Sequence, residues 1–338
     1  MPIKGAKFIV LSVVVTIFIA ICTTVANQLA KTALSEDPEN FSAPFFLAYF
    51  GTLMMIPLYP AYLLIKVIFS KESVAKINEN ALKVVENKDG KLYPELTLLL
   101  GSAISVALWT GPPFLFGISV QYISVSAATA IGSLSAAMVF VFSILWLDAQ
   151  FCFFKAGGIV VSIVGVVILS MDGQFTGSVF GVCLILIWAL LTAIYTTAFK
   201  KAFGDLSLGQ VLFYQTLLGL SNFIWNTIPM FFMGYLDYDR INWSSVPWLP
   251  VLGNALAGCA FSVGANFGIA LLNPLVVSIA FLVGIPMNAA VDIIFRGLPA
   301  GIKAYIGGFF ILGGFCLTSL PFDEWSKKFI SKYRNPNP

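Results

Sequence analysis

Apolar runs of roughly 20 residues recur along this chain, each closed by a short polar patch, with none of the two-residue alternation of a barrel strand. Ten runs can be delimited, at about 8–30, 43–69, 95–119, 122–146, 153–171, 177–199, 209–234, 248–270, 274–295 and 302–320. A helix of that length crosses a hydrocarbon core of about 30 Å. Hydrocarbon offers no partner to backbone N–H or C=O, so runs of this kind must be helical. The predicted fold class is all-α: a polytopic membrane protein of ten transmembrane helices. The first run follows Lys4 and Lys7, as the core of a signal peptide would, but it is too long and lacks a clean small-residue exit, so it is read as a helix.

Composition agrees with that pattern. Of 338 residues, 59% are hydrophobic and 10% charged, against about 25% charged in a soluble domain. The sparse charges fix an expected orientation. With both termini in the cytosol, only Lys31, Arg240, Arg296 and Lys303 of the 19 basic residues face the other side, and the remaining 15 are cytosolic. The sequons Asn40-Phe41-Ser42 and Asn242-Trp243-Ser244 fall in loops that this orientation places outside or in a lumen. Such signals serve the plasma membrane and the Golgi or endomembrane system alike. The Lys/Glu/Asn-rich stretch 70–92 reads as a cytosolic loop with room for a short surface helix, and residues 322–338 as a cytosolic tail.

The halves resemble one another. Phe116-Gly117-Ile118 recurs as Phe267-Gly268-Ile269, and Gly158 and Gly165 recur at nearly the same distance as Gly307 and Gly314. The predicted division is 1–172 and 173–321. Five spans per half is an odd number, so the halves lie upside down relative to each other, an architecture of secondary transporters with a site near the midplane. The glycines of spans five and ten suit close helix packing and not the lining of a path.

Four motifs carry a family resemblance: Ala43-Pro44-Phe45-Phe46-Leu47, Ile123-Ser124-Val125-Ser126-Ala127, Asn288-Ala289-Ala290-Val291-Asp292 and Leu320-Pro321-Phe322-Asp323-Glu324-Trp325. In these the chain resembles the drug/metabolite transporter superfamily, and within it the F branch of solute carrier family 35, over nearly its whole length. Where many superfamily members end span four in a Gly-Glu pair, this chain has Leu147-Asp148. The resemblance implies solute transport by ten helices in two inverted repeats, with a thiamine-like organic cation as the first cargo to consider.

Chemistry inside the spans is limited. The chain has no histidine, which removes the usual proton relay and the commonest metal ligand. Its five cysteines form no Cys-x-x-Cys pair and read as small hydrophobes. Neither metal nor cofactor is expected. No His/Asp/Glu cluster, Ser-base pair or nucleotide-binding glycine loop suggests an enzyme. The in-span groups nominated to meet a solute are Asn27, Trp109, Thr110, Tyr195, Tyr214, Gln215, Asn266, Asn288 and Asp292. Asp292 is the one acid nominated as a proton carrier, and Arg296, four residues on, could pair with it as a gate. Pro112-Pro113 is expected to break span three near mid-depth. Amides, aromatics and one acid suit a cation or a polar neutral solute. No basic residue lies at mid-span, which disfavours a nucleotide-sugar antiporter, though Lys31, Lys200 or Lys201 could reach inward. A non-transporting receptor or chaperone on the same fold is a further alternative. The expected partners are a small-molecule solute and the lipid bilayer, with a homodimer left open and no nucleic acid.

Overall fold

The computed structural model describes residues 6–86, 90–122, 128, 131–132, 134–149, 151–171, 179–272, 274–296 and 301–319. The motifs at Ile123–Ala127 and Leu320–Trp325 and the tail lie outside the described residues. So do some helical side chains, those of Asp292 and Arg296 among them.

The helices are α1 (Ala6–Ser35), α2 (Pro44–Leu53), α3 (Leu58–Ser70), α4 (Val74–Leu82), α5 (Glu95–Tyr122), α6 (Leu134–Leu147), α7 (Phe153–Ser170), α8 (Val179–Phe203), α9 (Leu208–Tyr235), α10 (Trp248–Leu271), α11 (Pro274–Arg296) and α12 (Ile302–Ser319). Five segments, Val10–Leu34, Pro44–Ser70, Glu95–Tyr122, Val179–Phe203 and Trp248–Leu271, are long and apolar enough to cross a membrane. Large apolar side chains such as Leu64, Val160 and Phe309 face outward, as they do where lipid is the solvent. The chain is a multi-pass integral membrane protein.

Helix ends follow local chemistry. Gly204, at φ +62°, ends α8, and its N–H reaches the Lys200 carbonyl at 2.9 Å. The next helix starts with a reciprocal capping box, Ser207 with Gln210. Two expectations for the spans are corrected. Span two is two helices, interrupted at Met54–Pro57. The polar backbone at that break is stitched by Thr216 of α9, whose hydroxyl donates to the Ile56 carbonyl at 3.0 Å and accepts from the Tyr59 N–H at 3.0 Å. Span three, by contrast, runs unbroken through Pro112 and Pro113 as one 28-residue helix. A proline removes the bond to the carbonyl four residues back, and the helix is continuous across that gap while packed against α2, α8 and α9.

The main pairings are α7 with α12, α1 with α10 and α11, and α8 with α5 and α6. The α7–α12 pair brings backbones together. A Cβ on Gly165 would stand 2.7 Å from the Gly307 carbonyl oxygen, and one on Gly314 would run into Ser162 and the Gly158 carbonyl. Gly158 and Gly165, like Gly307 and Gly314, are two turns apart and so share a face. At one end of the bundle β1 (Phe41–Ser42) pairs antiparallel with β2 (Arg240–Ile241). This ribbon sets the two sequons side by side, with Asn242 Nδ2 donating to Asn40 Oδ1 at 3.1 Å. At the far end of α2–α3, α4 tucks Ile77 and Ala81 against Tyr59 and Leu212.

Candidate functional site

A cavity of about 250 Å³ lies among α1, α2, α5, α8, α10 and α11. Regular helical spacing builds its walls. Trp188, Thr192 and Tyr195 are four and three residues apart on α8, and Asn254, Gly258, Phe261 and Ala265 repeat the pattern on α10. The lining runs from Met55 and Ile269 at mid-bundle towards Lys31, Leu34 and Pro44 near the sequon end.

Six rings of the wall form a continuous belt. Trp109 tilts over Tyr195 at 5.1 Å between centroids and stacks on Phe261 at 6.2 Å. Phe261 meets Phe281 at 5.7 Å, Phe281 meets Trp188 at 6.2 Å, and Trp188 meets Phe116 at 6.2 Å. On the opposite side of Tyr195, Phe199, Phe203 and Tyr214 close up against one another at 5.0–5.1 Å, filling the bundle between the cavity and the end opposite the sequons.

The polar wall is set by hydrogen bonds between helices. Gln28 Nε2 donates to Asn288 Oδ1 at 3.2 Å, and Thr24 Oγ1 reaches the Gly284 carbonyl at 3.5 Å. Both pairs are offset by 260 residues, so α1 and α11 run parallel. Asn288 Nδ2 turns back to the Gly284 carbonyl at 2.9 Å, and Asn254 Nδ2 holds the Ala26 carbonyl at 2.8 Å.

Of the nine nominated residues, Asn27, Trp109, Tyr195 and Asn288 line the cavity. Thr110, Tyr214, Gln215 and Asn266 lie outside its wall and bind neighbours instead. Thr110 Oγ1 donates to the Val106 carbonyl at 2.8 Å and accepts from Asn226 at 3.1 Å. Gln215 is fully buried and donates to the Ser262 carbonyl at 3.1 Å. Asn266 accepts the Tyr195 hydroxyl at 2.8 Å, and so orients a lining residue. Tyr214 belongs to the ring cluster behind Tyr195. Asp292 continues α11 one turn beyond Asn288, and its side chain, like that of Arg296, is outside the described residues.

Phe261 and Phe281 line the cavity without having been nominated, and so does Lys31, one of the three basic residues expected to be able to reach inward. Lys31 is one turn after Asn27, so that spacing was the available signal. A further functional candidate, Asp239, sits outside the cavity in the loop after α9. It is 3% exposed and accepts from Phe45 N at 3.2 Å and Phe46 N at 2.6 Å. Burial pushes its carboxyl up to about 6, against the pull of those two bonds. Among the described residues no group of three or more potential metal ligands occurs.

Comparison with known proteins gives this geometry its relatives. No protein-family model matches the chain. It is 27% identical over 337 residues to solute carrier family 35 member F3 of Homo sapiens, covering 95% of this chain and 76% of that protein. Member F3 of Mus musculus is 26% identical over 340 residues at the same coverage. Member F4 of Mus musculus is 26% identical over 303 residues, and the chain spans 62% of its length. A protein solved by crystallography superimposes with a TM-score of 0.63 over 93% of this chain and 96% of its own, at 14% identity, which shows a shared fold. With relatives of one branch matching along nearly its whole length, the chain is similar to the F branch of solute carrier family 35, in the drug/metabolite transporter superfamily.

Proposed function

We propose that the protein is a secondary-active transporter that moves a planar organic cation of the thiamine type across its membrane by alternating access. The observation that carries this reading is the belt of six rings in the cavity wall. Aromatic faces attract an organic cation by about 0.5–2 kcal/mol each and stack on a flat heterocycle. The amides of Asn27, Asn254 and Asn288 give such a ring system hydrogen-bond partners. The ring cluster at Tyr214 supports an arrangement closed at the cytosolic end, with the cavity facing the sequon side.

Helix pairing supports two inverted five-helix repeats. Exchanging the first five spans for the last five turns the α1–α10 pair into α8–α5 and the α1–α11 pair into α8–α6, and returns α7–α12 to itself. Both termini are then cytosolic and Asn40 and Asn242 lie outside or in a lumen.

The test is uptake of labelled thiamine into liposomes holding the purified protein, with unlabelled nucleotide sugars as competitors. Saturable uptake that ignores the competitors is expected. Asp292→Asn should cut that uptake at least about tenfold, the effect of losing roughly 1.4 kcal/mol of cation stabilisation, with the melting temperature unchanged. Normal uptake by well-folded Asp292→Asn removes that carboxylate from the mechanism.

One observation favours a second reading. Lys31 stands in the cavity wall, which suits a cargo bearing an acidic group, as in nucleotide-sugar exchange. Under that reading Lys31→Gln abolishes exchange in liposomes preloaded with a nucleotide monophosphate. Under the cation reading the same variant takes up thiamine as well as the wild type or better.

A further inference from the structure

We propose that Asp239 is a proton-binding site that governs the first turn of α2, and through it access to the cavity from the sequon side. The part concerning access rests on the transport reading above.

A helix start leaves its first N–H groups without intrahelical partners. In α2 the first position is Pro44, which has none, and the Leu47 N–H goes to the Ala43 carbonyl at 3.1 Å. Phe45 and Phe46 remain. The local cap position holds Ala43, which has no side-chain acceptor. Asp239, almost 200 residues away, supplies both acceptors, one carboxylate oxygen to each N–H. Its own backbone is anchored to α9 by an N–H to the Met233 carbonyl at 3.2 Å. The first turn of α2 is therefore tied to the end of α9 through one side chain.

That turn opens a short element. Its other end is the Met54–Pro57 interruption, and between the two ends Pro44, Leu47, Ala48, Gly51 and Thr52 form cavity wall. A change at Asp239 acts on a piece of wall ten residues long.

The carboxylate is poised for such a change. Around it, Glu39 from the loop after α1 and Asp237 and Arg240 from its own loop are the charged residues lining the same surface depression. Arg240 pairs with Asp237, at 3.3 Å. Neither α2 nor α9 contains an Asp, Glu, Lys or Arg, so the described elements packed on it offer Asp239 hydrogen bonds and no cation of their own. Burial then favours the protonated form, and the group titrates near pH about 6. Proton uptake converts one acceptor oxygen to a hydroxyl and leaves one of the two N–H groups without its partner. The proton comes from water on the sequon side and returns there on ionisation.

Two readouts test this on the full-length protein in lipid nanodiscs and liposomes. The first is hydrogen exchange of the amides of Phe45 and Phe46 from about pH 5 to about pH 8, corrected for the intrinsic rate. In the wild type, protection of this turn should fall as pH drops through about 6. In Asp239→Asn, whose amide has one acceptor oxygen, protection should be low and independent of pH. The second readout is thiamine uptake over the same range, where the wild-type inflection should vanish in Asp239→Asn. Flat protection in the wild type, or an unaltered inflection in the variant, overturns the proposal. If the variant does not fold, the wild-type exchange profile decides alone. Absent uptake at every pH would count against the transport reading, while the exchange profile would still settle the role of Asp239.

Discussion

Replacing Gly314 with valine is expected to unfold the α7–α12 pair and abolish recovery of monodisperse protein. No space exists for the added atoms, since even a Cβ would strike Ser162 and the Gly158 carbonyl. Backbone atoms cannot swing aside as a side chain end can, so relief requires the helices to part. Overpacking of this kind costs about 3 kcal/mol at the upper end of its usual range, a large share of a total stability of roughly 5–15 kcal/mol. Parting them also gives up the Ser162 hydroxyl contact to the Ile311 carbonyl at 3.5 Å. Gly313→Ala is the control, because a Cβ at the neighbouring position meets nothing within 4 Å. Thermal unfolding followed by size-exclusion chromatography should show a large loss for Gly314→Val and almost none for Gly313→Ala. Equal melting of both variants would show that these helices do not meet as described.

The second large effect is expected at Trp109. Trp109→Ala removes the ring that joins Tyr195 to Phe261 in the cavity wall, and the affinity for an organic cation should fall about tenfold or more, as the loss of a desolvated cation–π contact predicts. Trp109→Phe restores a ring of weaker quadrupole and should lie between. A stability control separates this from collapse: the alanine variant should still fold, because Trp109 faces a cavity and is only partly buried. Wild-type uptake kinetics in Trp109→Ala would remove the belt from substrate recognition.

Comparing residues shows what the sequence could disclose. Length and apolarity located the helices, because in hydrocarbon the backbone has no alternative. The break at Met54–Pro57 was hidden by its apolar surroundings, and Pro112-Pro113 suggested a break that the bundle suppresses. Four nominated residues line the cavity and four sit behind it, and polarity could not separate them. Gln215 and Asn27 look alike in a span, and only the rotation of each helix about its axis tells which one meets the cavity. A helix apolar on every side does not encode that rotation. Lys31 follows Asn27 by one turn, a spacing that could have raised it above the other basic residues. Asp239 gave no signal, since it stands between Tyr238 and Arg240 in a short polar loop, and its importance comes from α2, almost 200 residues earlier.

The glycine seam between α7 and α12 also limits how this molecule can move. Gly158, Gly165, Gly307 and Gly314 interlock as notches seven residues apart, about 10.5 Å along each axis. A slide of one helix past the other would drive Ile311 or Phe310 into a notch that admits no Cβ. Rotation about the seam disturbs it least, because displacement grows with distance from the axis. The described lining of the cavity includes no residue of α7 or α12. In the proposed alternating-access cycle the largest excursions therefore fall on the distant helices that form its wall, with the seam as the axle about which they turn.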